Sequence, residues 1–192
     1  DGDKIMAISS LSLKKNKKLT NNTLVGTVMS NLGLVKFCEA NDINFVATKV
    51  GDRYVLEKML ECNYIIGGEQ SGHIILLDYA TTGDGVLTSL KLVEALRDEK
   101  KHLDEMVKDI KDWPQKLVNV VVDNKKKNIW NQNKNITDFI AVKEKEMEGL
   151  GRVLVRTSGT EPLVRVMVEG KDMAMVEKVV NEIAEVVKKE LA

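Results

Sequence analysis

The chain runs to 192 residues, 43% hydrophobic and 30% charged, and its 29 basic and 29 acidic side chains cancel to a formal net charge of zero. That is the balance of an ordinary globular protein. It excludes a nucleic-acid binder working by counterion release from a basic face, and no apolar run reaches the roughly 18 residues of a membrane span.

Taken in chain order, residues 5–13 alternate like a strand. Residues 23–30 form a β-branched run, and Asn31 is placed to cap a helix over 32–40. A short buried strand is predicted over 45–48. Asp52 then opens a helical stretch in which Val55, Met59 and Leu60 recur at helical spacing. Residues 64–66 read as a strand, 67–72 as a turn and 73–77 as another strand. Asp84 can cap a helix with an apolar stripe of Val86, Leu90, Val93 and Leu96. Strands alternating with helices predict an α/β layered domain over residues 1–112. Pro114 lacks a backbone donor and forces Trp113 towards an extended conformation, which places a boundary there. Beyond it, a strand over 117–122, a polar stretch to Asn135, two strands over 152–156 and 163–169 and a helix over 173–189 predict a small α+β domain, 113–192.

The runs Lys14-Lys15-Asn16-Lys17-Lys18 and Lys125-Lys126-Lys127 read as solvated loop tips. Cys38 and Cys62 lack metal-ligand spacing and read as reduced thiols of a cytoplasmic protein. The chain opens on Asp1 rather than Met and enters regular structure at once, as a piece of a longer protein would.

Two glycine-framed loops carry recognition chemistry. In Gly67-Gly68-Glu69-Gln70-Ser71-Gly72-His73 the glycines allow a tight turn and close approach of a ligand. Glu69 and Ser71 project to one side of an extended loop, where a carboxylate suits neighbouring sugar hydroxyls. His73 adds a group able to move a proton or orient a hydroxyl. The same residues also fit a plain hairpin with exposed polar groups. In Arg156-Thr157-Ser158-Gly159-Thr160-Glu161-Pro162, amides around Gly159 can form an anion nest. Arg156 and the nearby Arg165 offer guanidinium forks to a phosphate. Between strand and helix, Lys49, Gly51, Asp52 and Arg53 either face a ligand or are spent on capping and solvation. Asp1-Gly2-Asp3 is a weak candidate for Mg²⁺.

Together, the two loops resemble the sugar-recognition and phosphate-binding loops of the α-D-phosphohexomutases, in the same order. Residues 48–55 and 78–85 look most like the members that act on glucosamine phosphate. The resemblance implies the third and fourth of four domains, the fourth a TATA-box-binding-protein-like α+β fold. Glu69 and Ser71 would then hold sugar hydroxyls, with Lys49, Gly51, Asp52, Arg53 and His73 near the substrate. Arg156, Thr157, Ser158, Gly159, Thr160 and Arg165 would grip the phosphate that is not being transferred. The intact enzyme would interconvert glucosamine 6-phosphate and glucosamine 1-phosphate through a phosphoserine and a bisphosphate intermediate. The family's Ser-His motif is absent here, and its Asp-Gly-Asp-x-Asp-Arg metal loop fails because Lys4 follows Asp3. The resemblance therefore puts the phosphoserine and Mg²⁺ on the first two domains, outside this chain. That leaves no catalytic residue here beyond His73 as a candidate for proton transfer, and no activity for the chain alone. A phosphomannomutase or phosphoglucomutase is the nearest alternative, and a non-catalytic phosphosugar-binding module the next.

Overall fold

A computed structural model describes all 192 residues. The chain folds as two compact units, Asp1–Asp112 and Trp113–Ala192.

The first unit runs α1 (Gly2–Lys15), β1 (Thr23–Thr27), α2 (Leu32–Ala40), β2 (Asn44–Thr48), α3 (Asp52–Cys62), β3 (Ile66–Gly68), β4 (Ile74–Leu76), α4 (Gly85–Glu99) and the short α5 (Leu103–Val107). The sheet order is β2-β1-β3-β4, with β1 parallel to β2 and β3, and β4 antiparallel to β3. The β1-α2-β2 and β2-α3-β3 crossovers travel in opposite directions across the sheet. Right-handed connections therefore put α2 and α3 on opposite faces. Met6 and Ile8 of α1, Leu34 of α2 and Ala95 of α4 pack one face, against Leu24, Ile66 and Ile74. On the other face, Val55 and Met59 of α3 meet Val25 and Ile75. The caps at Asn31 and Asp84 form as expected, accepting from Gly33 N at 2.8 Å and Leu87 N at 2.9 Å. Each contributes about 1 kcal/mol.

Several expectations are corrected. Residues 5–13 are helical, not extended. Asp1 caps α1 by accepting the Lys4 N–H at 3.1 Å, and the buried residues Gly2, Asp3, Met6, Ala7, Ser9 and Ser10 recur at helical spacing. Serines set between apolar residues imitated a strand; Ser10 returns its hydroxyl to the Met6 carbonyl at 2.7 Å, as serines inside helices do. Lys14 and Lys15 are accordingly the last turn of α1 rather than a loop tip, and Lys15 pairs with Glu99 at 2.7 Å. The strand over 45–48 lies at the sheet edge and is only half-buried. Gly67 and Gly68 belong to β3 rather than to the turn. Leu60 faces solvent. The stripe predicted on α4 also faces outward, with Val86, Leu90 and Val93 being 74%, 64% and 61% exposed. Leu87, Leu92 and the small Ala95 face the core instead.

The second unit runs β5 (Gln115–Val121), α6 (Lys134–Glu146), β6 (Gly151–Thr157), β7 (Leu163–Gly170) and α7 (Met173–Leu191). Its antiparallel sheet has the order β5-β7-β6. Val176, Val179, Val180, Ile183 and Val187 of α7 pack with Val120, Val164, Val166 and Val168, and Ile136 and Ile140 of α6 complete this core. Strand alternation turns the Arg156–Arg165 and Arg152–Glu169 cross-strand pairs to the opposite face. There, fully buried Glu169 holds Arg152 at 2.8 Å. α6 was not anticipated, because its polar composition hides the apolar pair four residues apart behind the Asn133 cap. Lys127, expected in solvent, is 8% exposed and donates to the Glu161 carbonyl at 3.1 Å. Its long stem is buried while its ammonium finds a backbone acceptor.

Burial pushes the Cys38 thiol up to about 12, with Asp3 and Glu39 adding to the effect. At pH 8 an alkylating reagent should therefore modify Cys62 well before Cys38, read by mass spectrometry of labelled peptides. Met6→Ala should cost about 2–5 kcal/mol of unfolding free energy in urea. Leu90→Ser, on the exposed face of α4, should stay within about 0.5 kcal/mol.

Candidate functional site

Parallel β1, β2 and β3 end at one edge of their sheet, the edge where open α/β sheets gather ligands. A cavity of about 460 Å³ opens there between Asp1, Thr27, Met29, Val50, Glu69, Gln70 and Ser71. Two loops singled out by sequence meet around it. Glu69 Oε1 accepts the Gly51 N–H at 3.0 Å, and His73 Nε2 lies 3.5 Å from Asp52 Oδ2. Gly51 sits at φ 127°, a conformation that favours glycine.

The loop itself is closed by Glu69 N to His73 O at 3.0 Å and Gly72 N to Glu69 O at 2.9 Å. Its floor is the first turn of α1. Gly2 N donates to the Gln70 carbonyl at 2.9 Å, and a Cβ on residue 2 would collide with the Glu69 carbonyl oxygen. The His73 ring packs against Gly83, where a Cβ would lie 2.5 Å from its Nε2. Ser71 is exposed, and the second oxygen of Glu69 is spared by the Gly51 contact. A carboxylate oxygen beside a free hydroxyl is an acceptor-rich pair suited to vicinal hydroxyl groups.

The neighbouring turn is largely spent on structure. Arg53 Nε pairs with Glu57 at 2.7 Å, and Asp52 accepts the Arg53 N–H at 2.8 Å within the first turn of α3. The cap position of that helix is Gly51, not Asp52. Lys49 remains exposed, 5.8 Å from the Tyr54 ring centroid.

In the second unit, loop 158–162 joins β6 to β7. Ser158 is 3% exposed, and its N–H donates to the Leu163 carbonyl at 2.9 Å. The amides of Gly159 and Thr160, by contrast, find no backbone acceptor, and a Cβ on Gly159 would meet open space. No packing demand of the protein itself requires glycine there, which leaves room for a ligand. Thr157 ends β6 opposite Val164. Arg156 and Arg165 face each other across the register. Burial first, and then the Arg165 charge, lower the pKa of the Arg156 guanidinium from its ordinary value. Arg165 pairs with Glu161 at 2.9 Å, whereas no carboxylate pairs with Arg156, so this arginine beside free amides gains by accepting an anion.

Asp1 and Asp3 do not fit a metal. Asp1 is the cap of α1, and buried Asp3 accepts the Asn31 N–H at 2.7 Å. No group of three or more His, Cys, Asp or Glu side chains could hold an ion. Sequence reading missed Gly2, Thr27 and Met29 around the first loop, and the anchoring role of Lys127 at the second. For Thr27 and Met29 the available signal was their place at and just beyond the end of a parallel strand.

The family model described as phosphoglucomutase/phosphomannomutase, alpha/beta/alpha domain III, matches residues 1–113, and that described as phosphoglucomutase/phosphomannomutase, C-terminal domain, matches residues 117–186. The chain is 56% identical over 191 residues to a phosphoglucosamine mutase of Fusobacterium nucleatum, covering 100% of this chain and 42% of that protein. It is 52% identical to a phosphoglucosamine mutase of Caldicellulosiruptor saccharolyticus, covering 100% of this chain and 43% of the relative. The chain thus spans less than half the length of these relatives. Its fold is that of Aspergillus fumigatus N-acetylphosphoglucosamine mutase, solved in complex with GlcNAc-6P and magnesium. The TM-score is 0.80 at 19% identity, over 98% of this chain and 47% of that one.

Gly2→Val should displace loop 69–72 while leaving α7 untouched. In a ¹H–¹⁵N spectrum, the Glu69, Ser71 and Gly72 signals are expected to move and those of the second unit to stay.

Proposed function

The chain belongs to the phosphoglucomutase/phosphomannomutase family, and from that premise we propose that it supplies the sugar- and phosphate-gripping loops of a phosphoglucosamine mutase. The whole enzyme would interconvert glucosamine 6-phosphate and glucosamine 1-phosphate. The observation that carries the reading is the Arg156–Arg165 pair beside the free Gly159 and Thr160 amides. Identity of 56% to a phosphoglucosamine mutase favours the amino sugar over the mannose and glucose phosphates.

In this reading Glu69 and Ser71 accept and donate to sugar hydroxyls, with His73 and the Lys49–Asp52 turn beside them. Arg156, Thr157, Ser158, Gly159, Thr160 and Arg165 take the phosphoryl group that is not reacting. Phosphoryl transfer relies on positioning and charge neutralisation more than on covalent chemistry by the protein. A sugar held through a pair of hydroxyls can be released, turned over and held again, as a bisphosphate intermediate requires. The phosphoserine and the Mg²⁺ would belong to the remaining domains, since neither a Ser-His pair nor an Asp-Gly-Asp-x-Asp-Arg run occurs in this sequence. No helix is long and apolar enough to cross a membrane, and both cysteines are free, which supports a cytoplasmic enzyme.

The test is an NMR titration of the chain with glucosamine 6-phosphate, mannose 6-phosphate and inorganic phosphate. Shifts at Glu69, Ser71, Gly159 and Thr160 that are largest for the amino sugar are expected. Equal shifts confined to loop 158–162 would leave a phosphate site and remove the sugar assignment; silence at both loops would reject the reading. Arg156→Ala should weaken phosphate binding roughly ten- to a hundredfold, the loss of one charge-assisted contact.

A further inference from the structure

The loop 158–162 already holds an anion of its own. A single oxygen of Glu161, Oε2, accepts from Arg165 Nη2 at 2.9 Å and from Ser158 Oγ at 3.4 Å. The Glu161 N–H donates back to Ser158 Oγ at 3.3 Å, and Arg165 Nη2 also reaches that hydroxyl at 3.5 Å. The two donors that an incoming phosphate would need are therefore engaged by a carboxylate from the same loop.

Three further observations suit displacement. The pair is open to water, with side chains 53% exposed at Glu161 and 28% at Arg165, so the contact is weak and the carboxylate can return to solvent cheaply. The backbone beneath does not depend on the carboxylate. The Glu161 carbonyl is held by buried Lys127 at 3.1 Å and by the Leu163 N–H at 2.8 Å. Finally, Arg165 Nε is buried with no hydrogen-bond partner. A guanidinium turned by a few tens of degrees could present Nε and Nη2 together to two oxygens of one phosphate, a fork that one carboxylate oxygen does not fill.

We propose that Glu161 is a positioning residue that stands in for phosphate. It keeps Ser158 and Arg165 oriented while the loop is empty, and phosphate must displace it to bind. The proposal rests on the reading of this loop as a phosphate site. Monoanionic Glu161 offsets only one of the two arginines, and no carboxylate is paired with Arg156, whose pKa is shifted by burial and by Arg165 alone. A dianion balances both charges, so the exchange favours a phosphoryl group over the resident side chain.

The experiment is a titration of the 192-residue chain and its Glu161→Gln and Glu161→Ala variants with inorganic phosphate at fixed ionic strength. It is read at the Gly159 and Thr160 amides and at the Arg165 Nε–H signal. Both variants are expected to bind about tenfold more tightly than the parent, the effect of losing one competing charge-assisted contact. The Arg165 Nε–H signal is expected to shift on saturation. A bracing role alone predicts the opposite, weaker binding once Arg165 loses its anchor. Equal or weaker binding by both variants beside a parent that binds would overturn the proposal and leave the phosphate loop intact. If neither parent nor variants respond, the phosphate-site reading falls, and the proposal with it. Binding by the variants beside a silent parent would support the proposal in its strongest form.

Discussion

The candidate loop after β3 depends on a close approach between two backbones. The first turn of α1 lies directly under residues 69–72, with Gly2 N on the Gln70 carbonyl and no side chain between them. That contact fixes the height of the turn, and the Glu69 bond to Gly51 fixes its lateral position. Because Asp1 caps the same helix and Asp3 holds the Asn31 N–H, the loops after β1 and β3 are tied to one helix terminus. A ligand at this edge would thus meet a preset surface, which lowers the entropy lost on binding. The acidic residues at the chain's start do structural work, Asp1 as the cap of α1 and Asp3 as the acceptor of the Asn31 N–H.

The second unit is organised around charge. On the sheet face turned away from α7, two cross-strand pairs lie along the same strands. Arg152 meets buried Glu169 and is neutralised, whereas Arg156 meets Arg165. Like charges directly opposite each other destabilise an antiparallel pair. No acid stands opposite Arg156 or Arg165 in the register, and Glu161 of the adjoining loop offsets only Arg165, which leaves a cost that an external anion can relieve. Burial first, and the Arg165 charge after it, lower the Arg156 pKa.

Sequence pattern and structure agree where one interaction decides the outcome. Asn31 and Asp84 cap their helices because a short polar side chain ahead of an apolar run has few better uses. The final helix, with five valines and isoleucines on one face, has one way to bury them. Agreement fails where two periodicities compete. In α1, serines between apolar residues satisfy a period of two as well as one of 3.6, and only the Asp1 cap and the buried small residues break the tie. In α4 there are apolar residues on two faces, and the sheet takes the one with Ala95. The candidate loops were legible because glycine and hydroxyl residues cluster there. Lys127 was not, since nothing local to a run of three lysines marks the one that will be buried beneath a loop distant in sequence.

The groups that each candidate loop leaves unpaired differ more sharply than the groups it contains. Around the first loop, Arg53, Asp52 and one oxygen of Glu69 are consumed by neighbouring contacts. What remains at the cavity is a carboxylate oxygen and a serine hydroxyl, a set suited to neutral hydroxyls, with exposed Lys49 and His73 on the flanking turns. Around the second loop the remainder is reversed, with free amides and an unneutralised arginine. Glu161 at first contradicts this division, being an acid within a cationic loop. Its contacts with Ser158 and Arg165 remove the contradiction, because a resident carboxylate keeps those donors aimed and excludes weaker ligands until a more highly charged one arrives.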